Sequence, residues 1–443
     1  MPAPRPLLPR PGADPGRRRV LAALLGGPLL GAGGLTGCSD DSTSPVAAGP
    51  VELSVFWYGD RKRADLTEKA LRLYSERNPE VSFRVTWQGA DGYHDRLATQ
   101  AAGGNVPDLM QLDDGVLTEY GLREITLDLS PYTADNRLDL RALPDGLVRY
   151  GQVGGRTMGV AAGQTAAAVV FNRALLRRLD LPEPRTGMSW PDYVDWAQRI
   201  TRASGGRVAG TMDPSGDYRA FWMWLRAQGA EFYRGRDLAF DREQLLQWFR
   251  LWQDARRDRA TPSAALIEQA DSGDLTRQLV ITGAAAASFA WAHQLPALQS
   301  LTEDELGVAS VPGPAAAQWA RASMYWTVFR GSRHPAVAVD VINFLTSNGE
   351  AGVILGHERG LNPSLAVRRY TEGSINDPAQ QRAAALGAEL SDKLGPAPSP
   401  PPKGHPQVRN LLLAAAESVR SGTVSTRQAV DRFLLRADAA LAT

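Results

Sequence analysis

Val51-Glu52-Leu53-Ser54-Val55-Phe56 is the stretch on which the fold of this 443-residue chain turns. It alternates apolar and polar residues in its first half and ends apolar, the pattern of a strand. Leu66, Ala70, Leu73 and Tyr74 then recur at helical spacing until Asn78-Pro79 stops them. Residues 81–87 alternate again, a helix is expected around 93–102 before Gly103-Gly104, and Pro107 to Leu112 reads as a third short strand. The order β-α-β-α-β predicts an α/β protein built on a mainly parallel sheet with helices on its faces. Ligands of such sheets bind beyond the carboxyl ends of the strands, which here are the loops 57–61, 88–92 and 113–115.

Further along, Gly151 to Val160 reads as a hairpin, 166–171 as a buried strand, and Asn172 as the start of a helix. Ser189-Trp190-Pro191-Asp192 has the form of a capping box, and Trp190, Val194, Ala197 and Ile200 keep one helical face apolar. Leu245, Trp248, Phe249 and Trp252 form a second such face, which reads as core. Strands are expected in 283–291, 307–311 and 324–329, a helix after His334-Pro335, and two closing helices at 407–421 and 425–441.

The amino-terminal region has a separate logic. Arg17-Arg18-Arg19 precedes an uncharged run from Val20 to Thr36, the order of a secretory signal. Its glycines and its length make it a poor permanent membrane span. The run ends in Leu35-Thr36-Gly37-Cys38, which looks like a bacterial lipobox, and Cys38 is the single cysteine of the chain. A diacylglyceryl group on Cys38 would anchor the mature protein to the outer side of the cell membrane. Arg17-Arg18 also fits a twin-arginine export signal, and an ordinary Sec signal stays open beside it. Residues 1–37 are thus expected to be the signal and 38–50 a lipidated flexible tether. The 406 residues left without 1–37 (443 − 37) are too many for one core and fit two domains.

Charge is balanced, 49 basic against 48 acidic residues, and no basic stripe points to nucleic acid. The five histidines are scattered without metal-ligand spacing, no GxSxG occurs, and the glycines at 151–159 lack the strand-to-helix setting of a nucleotide loop. No enzyme, metal or cofactor is expected. Eleven tryptophans supply both core volume and flat faces that suit sugars.

Several motifs in order resemble one family. They are Gly104-Asn105-Val106-Pro107-Asp108-Leu109, Phe171-Asn172-Arg173, Pro184 to Asp192, Gly283 to Ala287, Ser332-Arg333-His334-Pro335 and Gly422 to Ala429. Together they resemble the family 1 extracellular solute-binding proteins of bacterial ABC importers, of the maltose-binding type, over roughly 51–441. The resemblance implies a two-lobe periplasmic-binding-protein fold of type II, each lobe a mainly parallel sheet flanked by helices, with the ligand cleft at the hinge. Lobe one would be 51–162 plus 312–365 and lobe two 163–311 plus 366–443. It also implies a monomer that binds a carbohydrate and hands it to the transmembrane permease subunits.

The ligand set this resemblance implies takes Asp60 and Arg61 from the first loop, with Trp57 and Tyr58 flanking it, Asp113 and Asp114 from the third, Gln164 near the hinge, and Trp291 as a stacking aromatic. Tyr218 and Trp326 are further candidates. Asp60 reads equally as a helix cap, and Trp291 as core. The stacking tryptophan that the best-known member carries before its final helices has no counterpart near 407–409. Against the sugar reading stand a non-sugar solute such as a peptide or polyamine, service to a sensor rather than a permease, and a secreted glycan-active enzyme.

Overall fold

The computed structural model describes residues 49–270, 274–371 and 373–442. The signal segment, Cys38 and the tether up to residue 48 lie outside them. The first strand, β1 (Val51–Tyr58), leads into α1 (Arg61–Arg77), β2 (Val81–Gln88), α2 (Tyr93–Ala102), β3 (Leu109–Leu112) and α3 (Asp114–Leu122). Two short strands, β4 (Val160–Ala161) and β5 (Gln164–Thr165), precede β6 (Ala167–Asn172). Helices α4 (Trp190–Ala203), α5 (Tyr218–Arg226) and α6 (Arg242–Arg257) come next, then β7 (Ala287–Trp291), β8 (Leu306–Ser310), β9 (Arg321–Ala322) and β10 (Tyr325–Val328). The chain closes with α7 (Pro335–Ser347), α8 (Pro378–Leu390), α9 (His405–Arg420) and α10 (Thr426–Leu441).

Two lobes result. Lobe one holds a five-stranded sheet in the order β2-β1-β3-β10-β4. Strands β2 and β3 run parallel to β1, with Val51 opposite Val81 and Val55 opposite Leu109, while β10 and β4 complete the sheet antiparallel. The alternation of β1 decides which core each residue enters. Leu53, Val55 and Trp57 face the cluster that contains Leu71 and Tyr74 of α1 and Val339 and Ile342 of α7. Phe56 points to the opposite face, toward Tyr93 and Leu97 of α2.

Lobe two is built on a sheet in the order β7-β6-β8. Its core takes seven tryptophans, among them Trp190, Trp222, Trp248 and Trp252. The α/β two-lobe architecture is as expected, but the strand directions are not: β7 and β8 both run antiparallel to β6. The chain leaves β6 through a long helical excursion and re-enters the sheet from the far end. A compact crossover, which would have made the neighbours parallel, is absent from that connection.

Three segments pass between the lobes side by side. The strand β5 pairs with β9, Gln164 Nα donates to Leu361 O at 2.7 Å, and Ser323 Nα donates to Gly163 O at 2.9 Å. A side chain at Gly163 would collide with the Arg359 carbonyl, so glycine is what lets these crossings lie so close.

Trp248 is fully buried and donates Nε1 to Ser215 O at 2.9 Å. Trp248→Ala removes that volume and orphans the carbonyl, so stability is expected to fall by about 3–5 kcal/mol. The midpoint of urea unfolding checks this.

Candidate functional site

The carboxyl ends of β1, β2 and β3 open onto a cavity of about 550 Å³ whose far wall comes from lobe two. From lobe one it is lined by Tyr58, by Ala90, Asp91 and Gly92 in the loop after β2, and by His94, Asp95 and Asp113. From lobe two come Asp217 to Ala220 at the start of α5, Phe289 to Trp291 at the end of β7, and Arg409, Asn410 and Leu413 on α9.

Asp113 occupies the cap position of α3, yet its side chain makes no capping hydrogen bond. Instead Asp113 Oδ2 meets His94 Nε2 at 3.1 Å. Burial opposes charge on this carboxyl, but His94, Arg409 and Arg321 hold it well below the usual carboxylate range. Burial likewise pulls the His94 imidazole down, and Asp113 outweighs it, so His94 titrates above its ordinary value. Asp113 Oδ1 and His94 Nδ1 are buried without a partner. Polar atoms of this kind carry a desolvation cost unless something binds them.

On the opposite wall Asp217 caps α5 and grips Arg219 with both oxygens, at 2.8 Å and 3.1 Å. The Arg219 guanidinium lies 4.8 Å from the Trp291 ring centre, and that of Arg321 lies 4.5 Å from it. Arg321 also donates to Tyr218 Oη at 3.1 Å and forms an ion pair with Asp114. Tyr218 stands edge-on to His405, 4.7 Å between ring centres. Trp291 therefore enters the cleft as part of a cation–π stack, its two guanidiniums fixed by carboxylates on either side.

Four of the residues expected at a ligand site line this cavity: Tyr58, Asp113, Tyr218 and Trp291. Asp114 lies just behind it, paired with Arg321. Trp57, 0% exposed, and Trp326, 2% exposed, belong to the core of lobe one. The pleat sends Trp57 to the face opposite Tyr58's, and Trp326 lies under the Arg359 guanidinium at 5.0 Å. Asp60 and Arg61 are exposed at the start of α1, where Asp60 accepts from Arg63 Nα at 2.8 Å and Arg61 pairs with Asp65. Gln164 lies in the hinge, accepts from Arg368 Nη2 at 2.6 Å, and borders a separate water-sized cavity of about 30 Å³.

His94, Arg219 and Arg409 were not anticipated from sequence. His94 lies just past the strand-end loop 88–92, and Arg409 comes one helical turn after His405 on α9. Among the described residues no group of three or more His, Cys, Asp or Glu is arranged to hold a metal ion. Among them, too, no helix is long and apolar enough to cross a membrane.

Two lobes joined by three crossings, with a polar and aromatic cavity between them, define a two-lobe periplasmic solute-binding protein. The family described as bacterial extracellular solute-binding protein matches residues 60–352, and the chain belongs to it. A lipoprotein of undetermined role encoded beside oleD in Streptomyces antibioticus is 26% identical over 208 residues, 46% of this chain and 44% of that protein. The chain thus matches under half the length of that relative. Two solved structures share the fold. A periplasmic oligogalacturonide-binding protein from Yersinia enterocolitica, in complex with saturated digalacturonic acid, has a TM-score of 0.74 at 20% identity over 88% of this chain and 98% of its own. An ABC substrate-binding protein from Listeria monocytogenes, in complex with cycloalternan, has a TM-score of 0.74 at 17% identity over 88% and 99%.

The geometry has two measurable consequences for stability. Asp60→Ala removes a helix cap, so stability should drop by about 1 kcal/mol, read as a lower thermal midpoint. His405 is buried and its Nδ1 meets Tyr233 Oη at 2.8 Å; burial first, then Arg409, pushes its pKa down to about 3. The unfolded chain protonates this group near pH 6.5, the folded one only near pH 3, so stability should decline as pH falls through that window. Unfolding titrations from pH 7 to pH 4 should show a shallower decline in His405→Gln than in the wild type.

Proposed function

We propose that this chain is the lipid-anchored solute-binding component of an ABC importer, and that it holds a sugar or oligosaccharide between its lobes for delivery to a permease. The observation that carries the ligand reading is the cavity wall itself. Tyr58, Tyr218, Phe289 and Trp291 supply aromatic side chains beside the polar residues His94, Asp113, Asp217 and Arg409. A carbohydrate presents apolar ring faces edged by hydroxyls, and it needs both kinds of partner. The volume suits more than one sugar ring, and the Yersinia and Listeria structures carry saccharides. Micromolar binding needs about 8 kcal/mol. Covering roughly 100 Å² of apolar sugar face gives about 2.5 kcal/mol at ~25 cal/mol per Å², and hydrogen bonds to charged groups add about 1.5–3 kcal/mol each.

The anchoring reading rests on the lone Cys38 at the end of Leu35-Thr36-Gly37 and on the lipoprotein description of the Streptomyces relative. The protein is then extracytoplasmic, tethered through residues 38–50, and acts by closing its lobes over the ligand rather than by catalysis.

A thermal-shift screen against mono- and oligosaccharides, amino acids, dipeptides and polyamines tests the ligand class. A ligand at 100 times its dissociation constant stabilises by about 2.7 kcal/mol, which is several degrees for lobes of this size. A saccharide is expected to shift the midpoint without being altered, and Tyr58→Ala and Trp291→Ala should each weaken its binding about tenfold. A shift from a polyamine or dipeptide alone, with silence from every saccharide, discards the carbohydrate reading.

A further inference from the structure

Exposed apolar side chains gather at one place outside the cleft. Among the described residues seven large ones are exposed, and three of them, Val353, Leu365 and Tyr370, come from two short neighbouring helices, Gly349–Leu355 and Leu365–Thr371. Tyr370 is 62% exposed. A Cβ on Gly349 would stand 2.6 Å from Tyr370 Cδ1, so the glycine lets the ring rest on the start of the first helix. Gly352 abuts Val367 in the same way. That register puts Val353 and the exposed Ala366 next along the seam, each one turn from Gly349 and Tyr370 respectively. Arg369 is exposed beside them.

This patch lies at the end of lobe one where the chain enters the fold. Val51 opens β1 and donates Nα to Glu80 O at 2.7 Å, just after α1 ends at Arg77. Arg77 pairs with Glu350 at 2.7 Å, and Glu350 is the neighbour of Gly349. Val51, Arg77, Glu350 and Tyr370 therefore stand at the amino end of the sheet. The cleft lies at its carboxyl end, beyond the eight residues of β1, which span about 25 Å. Thirteen residue steps separate Cys38 from Val51 (51 − 38), at most about 45 Å of extended chain. An acylated Cys38 thus holds this end of lobe one within that distance of the bilayer, and the cleft one strand length further along the chain.

We propose that Tyr370, Val353 and Ala366, with Arg369 at their edge, form a face that rests on the headgroup region of the membrane carrying the lipid anchor. A tyrosine ring is stable at an apolar–water boundary, where its hydroxyl stays wet. An arginine there lays its apolar stem along the boundary and keeps its charge among the headgroups. A second copy of the chain is a poorer occupant, since a few side chains fall far short of the roughly 1,200 Å² that a stable protein interface buries in total. A membrane contact needs no such area. The tether makes it intramolecular, so a contact too weak to recruit the protein still sets its orientation. Lobe one, rather than lobe two, then stands on the membrane. The inference rests on the lipid-anchor reading and is independent of which solute binds.

Lipid-borne quenching of a fluorescent label tests it. Ala366→Cys and, as the control, Leu435→Cys are each made in the full chain, purified from bacterial membranes and labelled with a nitrobenzoxadiazole dye. Leu435 is 75% exposed on α10 of lobe two. The chains are placed in vesicles of phosphatidylglycerol and phosphatidylcholine that contain a phosphatidylcholine with a nitroxide headgroup. The label at 366 should be quenched about twice as strongly as the label at 435, and adding Tyr370→Ser should bring it down to the level at 435. Equal quenching at the two positions, or quenching at 366 that survives Tyr370→Ser, overturns the proposal. A label at 366 that escapes the nitroxide but is shielded from aqueous iodide as protein density rises gives the face to a second copy and overturns it too. Intact mass reports acylation of Cys38 separately. An unacylated chain overturns the anchor reading and this inference with it, whereas an acylated chain quenched equally at both positions overturns this inference alone. Val353→Cys repeats the measurement from the neighbouring helix should Ala366→Cys not fold.

Discussion

A single buried guanidinium holds the site in place. Arg321 lies on β9, one of the strands that pass between the lobes, and is only 3% exposed. A charge so placed costs several kcal/mol unless its surroundings replace water. Burial lowers its affinity for the proton, but the Asp114 carboxylate and the Tyr218 hydroxyl more than compensate and hold it charged. Each partner is at the beginning of a helix: Asp114 at the first residue of α3, Tyr218 at the first of α5. Arg321 therefore ties the first residues of both helices to the crossing strand. Asp113, one residue before α3, is left to face His94 and the cleft, and Arg219, one residue into α5, is left to lie over Trp291.

Local periodicity made the frame of lobe one legible. The pattern of 51–56 and 81–87 is the pattern of two-sided strands, and Gly103-Gly104 ends α2 where expected. The same logic placed three loops at strand ends, all of which reach the cavity or its edge. Strand direction in lobe two was not legible, because nothing in 167–172 records from which end 287–291 returns. The roles of individual residues were legible only where the pleat settled them. Tyr58 and Trp57 are neighbours in sequence, but one ends at the cleft and the other in the core of lobe one. Asp60 is the exposed cap of α1, the reading its position before the helix offered.

Composition pointed in two directions, and packing chose between them. Eleven tryptophans fit a sugar site as well as a core, yet seven of them fill the core of lobe two and only Trp291 reaches the cavity. A helix such as α6, with Trp248, Phe249 and Trp252 on its buried face, needs that area to hold a lobe with a short sheet. Arginines tell the opposite story. Their abundance carried no signal in the sequence, but Arg219, Arg321 and Arg409, from α5, β9 and α9, are the cations at and beside the cleft.

The pairing of charges also bears on how the cleft works. Charged groups that line it and have partners find them within their own lobe: Asp113 with His94, Asp217 with Arg219. The link between the lobes runs through Arg321 on the crossing strand β9, which pairs with Asp114 and donates to Tyr218 Oη of lobe two. Neither of those two ion pairs lining the cleft bridges its two walls. In general, a protein with two conformations is shifted only by something that binds one of them better than the other. Asp113 from one wall and Arg409 from the other line the same cavity, so a molecule between them touches charged groups of both lobes.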